Sequence, residues 1–283
     1  MPHVCPVLAD VGSLVVEFER GVPLISAVQL GLVDYDTALK LQQKLVAARK
    51  DGSIGDVLLF LEHSPVITLG RNAKQQNVLA SDGQLATRGV ELFECDRGGD
   101  VTFHGPGQLV AYPIFDLHGF PSTQGTRKTL GAIEYVRRLE EVLIRTCAEF
   151  EIPTERVPGL TGVWTRERDG KPQAKIAAIG VHISHAVTSH GFALNVNTDL
   201  ACFNLIIPCG ITSKPVTSMQ QELGHEVDFQ QVIAVTARHF AEVFATDLEF
   251  VSNLDDLGRK VGVPMRPPAE LQRLHKEEES YWA

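Results

Sequence analysis

The chain has 283 residues, 44% of them hydrophobic, which is enough to bury a substantial core in one or two domains and excludes disorder as its main state. Its 35 acidic residues outnumber 26 basic ones, a formal net charge of −9, so nucleic-acid binding driven by global charge is not expected. The longest wholly apolar runs, such as Val57 to Leu61, fall far short of the roughly 20 residues a bilayer requires, and no membrane span is expected.

The N-terminal segment carries Asp10, Glu17 and Glu19 and no arginine before Arg20, unlike a signal or transit peptide, so the expected location is cytoplasmic. From Asp34 to Arg49, Tyr35, Ala38, Leu39, Leu45 and Val46 recur at helical spacing, with Gly52 as the stop. Asp56 to Glu62 is short, continuous and apolar, the pattern of a buried strand, and Val66 to Leu69 predicts a second. The strongest helical signal runs from Thr129 to Phe150. Ile133, Val136, Leu139, Leu143, Cys147 and Phe150 form one stripe, while Arg137, Arg138, Glu140 and Glu141 are expected to face water. Cys147 on that stripe reads as a core residue.

Lys175 to Ile183 and His190 to Val196 alternate as antiparallel strands, with His190, Phe192, Leu194 and Val196 on one face, and a weaker helix spans Phe229 to Thr246. Without a regular βαβ repeat the expected fold class is α+β, a mixed sheet with flanking helices. Phe250 to Ala283 lacks periodicity and reads as an appended tail, with a short helix from Ala269 to Glu279 and Tyr281-Trp282 available to dock on the body.

Four segments carry chemistry. Arg97 to Gln108 holds four glycines, which let backbone approach a ligand and expose N–H groups, yet it matches neither common nucleotide-binding pattern. A pair of tight turns is the plain alternative. Lys175 opens a small apolar run, where desolvation favours the neutral amine that acts as a base; an ordinary solvated lysine is the alternative. The third segment is Ser189 to Asn197. In the fourth, Pro208 and Gly210 hold Cys209 in a turn suited to an exposed thiol. Five cysteines (Cys5, Cys95, Cys147, Cys202, Cys209) without a C-x-x-C pair fit a reducing compartment.

Taken together, Arg97-Gly98-Gly99 with Thr102, His104-Gly105-Pro106-Gly107-Gln108 and Tyr112-Pro113, then Lys175-Ile176 with Gly180, His190-Gly191 with Ala193-Leu194-Asn195-Val196, and Pro208-Cys209-Gly210, resemble the octanoyl transferases of lipoate biosynthesis. The resemblance covers about Leu14 to Phe250. It implies a catalytic domain over 14–250 with an extension over 251–283, and a fold like that of the biotin and lipoate protein ligases. It also implies an acyltransferase that moves an octanoyl group from acyl carrier protein to a lysine of apo lipoyl domains, those of 2-oxoacid dehydrogenases and the glycine cleavage H protein. No ATP, cofactor or metal is implied, because the thioester donor is already activated.

By resemblance, Cys209 is the nucleophile and Lys175 its base. The substrate-contacting positions are Arg97, Gly98, Gly99, Asp100, Val101, Thr102, Phe103 and His104, then Ala178, Ile179 and Gly180, then Gly191, Phe192 and Ala193. His104 either donates to the thioester carbonyl or braces its own loop, whereas His63 and His190 read as structural. An acidic donor requires local cations, for which Arg71, Lys74, Arg127, Lys128, Arg137 and Arg138 are the candidates. A monomer is expected, since two bulky protein substrates need an uncovered site. Competing readings are an ATP-dependent ligase on the same fold, a carrier-binding module without activity, and a cysteine hydrolase.

Overall fold

The computed structural model describes residues 24–123, 127–168, 170–208, 214–253 and 257. In chain order its elements are β1 (Leu24–Val33), α1 (Tyr35–Lys50), β2 (Asp56–His63), β3 (Val66–Leu69), α2 (Asp82–Thr87), β4 (Glu91–Glu94), β5 (Val101–His104), β6 (Gln108–Ile114), α3 (Ala132–Glu149), β7 (Thr154–Val157), β8 (Leu160–Thr165), β9 (Lys175–Ser184), β10 (Val187–Asn195), α4 (Met219–Leu223), α5 (Phe229–Phe244) and β11 (Asp247–Phe250). The expected tail helix, the Tyr281-Trp282 contact and Cys209 lie outside the described residues.

Eight strands form one mixed sheet in the order β11-β1-β2-β6-β10-β9-β8-β7, and β4-β3-β5 form a second, smaller one. β1 runs parallel to both β2 and β11, whereas β2, β6, β10 and β9 pair antiparallel in succession. The apolar run of β2 is continuous because both faces are covered: Leu58 and Phe60 pack under α3 and α5, and Val57, Leu59 and Leu61 pack under α1. The same alternation separates Leu109 and Ala111 from Val110, Tyr112 and Ile114 on β6. The small sheet has its own core, with Val101 and Phe103 of β5 packed on Phe203 and Leu205.

The helix expected from Asp34 begins one residue later, capped by the Asp34 carboxylate, which accepts from the Thr37 N–H at 2.8 Å. α3 departs from its expected faces. Ile133 is 78% exposed, whereas Arg138 and Glu140 are buried. The helix is wedged between α5 and the β7–β8 hairpin, so its buried surface is wider than the apolar stripe. The buried charges are paired: Arg138 with Glu134 at 3.1 Å, and Glu140 with Arg137 at 2.6 Å and Arg156 at 3.1 Å.

His190 also leaves its expected face. With φ at 55° it breaks the alternation of β10 and turns its ring to Tyr112, on the α1 side, while Phe192 and Leu194 stay on the α3–α5 side. Its backbone N–H donates to the Gln42 side chain of α1 at 2.7 Å.

Candidate active site

The α1 face of the large sheet is floored, over β9 and β10, by two cross-strand pairs of very small residues, Ala178 with Ala193 and Gly180 with Gly191. Above them lies a cavity of about 470 Å³, mouth included, walled by β5, the 97–99 loop and the start of α1. Eleven expected positions line it: Arg97, Gly98, Gly99, Thr102, His104, Ala178, Ile179, Gly180, Gly191, Phe192 and Ala193. Three do not. Val101 and Phe103 alternate into the core of the small sheet, and the Asp100 carboxylate turns outward to accept from the Lys74 N–H and the Asn77 side chain.

The glycines let the 97–99 loop press onto β9. Gly98 N–H donates to Val181 O at 3.1 Å, and a β-carbon on Gly180 would stand 2.7 Å from Gly98 O. Arg97 is buried yet meets no carboxylate among the described residues. Its guanidinium donates to Thr68 Oγ1, Thr68 O, Asp100 O and Gly98 O, fastening the loop to β3.

His104 is fixed by its neighbours. The Gln108 amide donates to Phe103 O and Asn195 Oδ1, so its Oε1 accepts from His104 Nδ1–H at 2.7 Å, and His104 Nε2 faces Thr68 Oγ1 at 3.5 Å. Desolvation, with His63 and Arg97 nearby, holds its pKa well below the usual value. In this tautomer His104 braces β5 against β6 and presents no N–H to the cavity.

Tyr35, Val110, Tyr112 and His190 also line the cavity, although the sequence reading did not place them in the site. Tyr112 stood within the quoted motif, whereas Tyr35, the first residue of α1, carried no signal beyond its helical spacing. His190 Nε2 bonds Asp96 Oδ1 at 2.7 Å, and its Nδ1 is buried without a hydrogen-bond partner among the described residues. Desolvation lowers the His190 pKa, partly offset by Asp96. Burial raises the pKa values of the Tyr35 and Tyr112 hydroxyls, so both remain neutral.

A second recess, of about 290 Å³, shares Thr102, Ala178 and Ala193 with the first and is lined further by Lys175, Gln108, Asn195 and Pro208. Lys175, at the start of β9, is 8% exposed. Its N–H donates to Pro215 O at 2.8 Å, and its carbonyl accepts from Thr217 N–H at 2.9 Å.

The family described as "Lipoyl protein ligase A/B catalytic domain" matches residues 34–241. A protein of Koribacter versatilis (strain Ellin345) named "Octanoyltransferase" is 59% identical over 256 residues, covering 90% of this chain and 98% of its own. One of Acidobacterium capsulatum with the same name is 54% identical over 236 residues, covering 83% and 96%. Among solved structures, the bi-partite lipoate protein ligase of Thermoplasma acidophilum superposes with a TM-score of 0.61 at 16% identity, over 84% of this chain and 92% of that one. This last likeness concerns the fold.

Proposed function

Because the chain belongs to the octanoyltransferases of the lipoyl protein ligase A/B family, and so transfers an octanoyl group in lipoate biosynthesis, we propose that it does so through a thioester on Cys209, with Lys175 as the base. The observation that carries this reading is that both flanks of the 209–213 segment meet Lys175. Pro208 lines the same recess, and Pro215 and Thr217 bond the Lys175 backbone.

A free thiol is only a few per cent thiolate at neutral pH, so the nucleophile needs a proton acceptor. Lys175 takes the proton of Cys209, the sulfur attacks the donor thioester, and Lys175 returns that proton to the carrier thiolate as it leaves, becoming neutral again. The acceptor lysine then loses its proton to Lys175 and attacks the acyl-enzyme, releasing Cys209 and forming an amide. The donor is octanoyl-acyl carrier protein and the acceptor an apo lipoyl domain. The floor of small residues fits a straight acyl chain. Burying six or seven methylenes at about 0.8 kcal/mol each contributes roughly 5 kcal/mol.

Of the six cations that an acidic donor would meet, Arg137 and Arg138 are taken up by Glu140 and Glu134. Arg71 and Lys74 are exposed on a turn whose backbone is bonded to Arg97, Gly99 and Asp100, beside the cavity wall.

The test is the intact mass after incubation with octanoyl-acyl carrier protein and no ATP, alongside Cys209→Ser. An octanoyl adduct that is absent from the variant and discharged by apo lipoyl domain is expected. Acylation of the lipoyl domain by Cys209→Ser at the parent rate would refute the covalent route.

A further inference from the structure

Lys175 is held from the adjacent strand. Its Nζ lies 5.2 Å from the ring centroid of Trp164, its partner across β8 and β9, and that indole is 1% exposed. Two positions earlier Gly162, at φ 118°, clears a path for the lysine stem: a β-carbon there would stand 2.8 Å from Lys175 Cε and 2.6 Å from Ala177 O. Gly162 is itself tied to α3 by its N–H, which donates to Glu140 Oε1 at 3.3 Å. Lys214, the first described residue after the 209–213 segment, places its Nζ 5.8 Å from the same ring. One buried indole therefore faces two lysines, one from each side of the proposed chemistry.

An ammonium is attracted to the negative face of an aromatic ring, most strongly where both are withdrawn from water. When the thiol proton passes to Lys175, an S–H bond breaks, an N–H bond forms, and a neutral pair becomes thiolate and ammonium. The new cation forms in a recess with little water to solvate it. We propose that Trp164 is a positioning residue for the transfer, its ring face steadying the ammonium that forms on Lys175 during the step and anchoring, through Lys214, the chain that follows the nucleophile segment. This rests on the reading of Lys175 as the base.

Trp164 and Trp282 are the only tryptophans in the chain, so a Trp282→Phe background leaves one indole to alter. Biosynthetic replacement by mono-, di- and tetrafluorotryptophan nearly preserves ring volume while draining negative charge from its face. The expected result is a stepwise fall in the rate of enzyme acylation, about tenfold at tetrafluorotryptophan, with KM for the donor unchanged. A rate indifferent to fluorination, or a rise in KM alone, would overturn the proposal. Lys175→Met separates the two layers. If that variant is inert while fluorination has no effect, only the role of Trp164 falls; if it is fully active, the base assignment falls and the role of Trp164 with it.

Discussion

A β-carbon on Gly191 would lie 2.0 Å from Ala111 O and 2.7 Å from Pro113 Cδ, both on the neighbouring strand β6, where no rotamer change can relieve it. Its cross-strand partner Gly180 meets a different obstacle, the Gly98 carbonyl of the loop laid over β9. The two glycines therefore answer to different substitutions. Gly191→Ala forces β6 and β10 apart and is expected to cost about 1–3 kcal/mol, the usual penalty for overpacking, read as a lower urea midpoint. Gly180→Ala displaces the 97–99 loop instead, so KM for the donor is expected to rise while the midpoint holds. An unchanged midpoint for Gly191→Ala would refute the first argument, and an unchanged KM for Gly180→Ala the second. The motifs mark both glycines as special, but the distinction is absent from the sequence, because the atoms that crowd them come from distant segments.

Among the elements, α3 shows how far periodicity reaches. Its stripe through Leu139, Leu143 and Cys147 is found in the core as expected. The side that carries Arg138 and Glu140 is covered by neighbours that a one-dimensional pattern does not contain. β1 escaped the sequence reading because Ser26, Gln29 and Gly31 interrupt its apolar residues; in the small sheet β3 was expected from its apolar run, whereas β4 and β5, equally short but carrying Glu91, Glu94, Thr102 and His104, were not. By contrast, β2 was legible from its length and continuous apolarity, and β9 and β10 from their alternation. Glu140 yields a prediction here. Fully buried, it accepts from Arg137, Arg156 and the Gly162 N–H, so Glu140→Ala leaves that amide without its acceptor, while the two arginines, 45% and 35% exposed, turn to water and to Glu141. Leaving a buried donor unsatisfied costs about 1–3 kcal/mol, to which the partly exposed arginines add little. Denaturant unfolding of Glu140→Ala should show that loss, with a smaller one for Glu140→Gln, which keeps an acceptor for Gly162. Equal stability of all three proteins would show that the cluster contributes nothing.

At the scale of the whole molecule, three buried histidines stand where the large sheet, α1 and the small sheet meet, and all three have lowered pKa values through desolvation. His63 is bonded by Val33 O at 2.8 Å and Tyr112 Oη at 2.7 Å, its ring 5.7 Å from that of His104, and its pKa falls to about 4. A histidine whose folded pKa lies below its unfolded value of roughly 6.5 leaves the unfolded chain binding more protons. Stability is therefore complete above pH ~6.5 and is lost as pH falls towards the folded value, His63 alone contributing on the order of 3 kcal/mol. His104 and His190 act with the same sign. Glu134 acts lower: against the upward push of desolvation, hydrogen bonds from Ser122, Thr123 and Arg138 hold it at about 2, so its contribution is lost only as pH falls from about 4.5 towards 2, while Asp56, raised by desolvation, acts with the opposite sign. The urea midpoint should therefore stay flat from pH 7 to about 8, below the range where the buried Cys147 and tyrosines count, and decline between pH 6.5 and 4.5, and His63→Gln should flatten that decline. Since His104 and His190 also line the cavity, octanoyl transfer assayed at each pH should fail over the same interval and recover on return to neutral pH. A midpoint unchanged from pH 7 to pH 5 would show that these imidazoles are not held neutral by the fold.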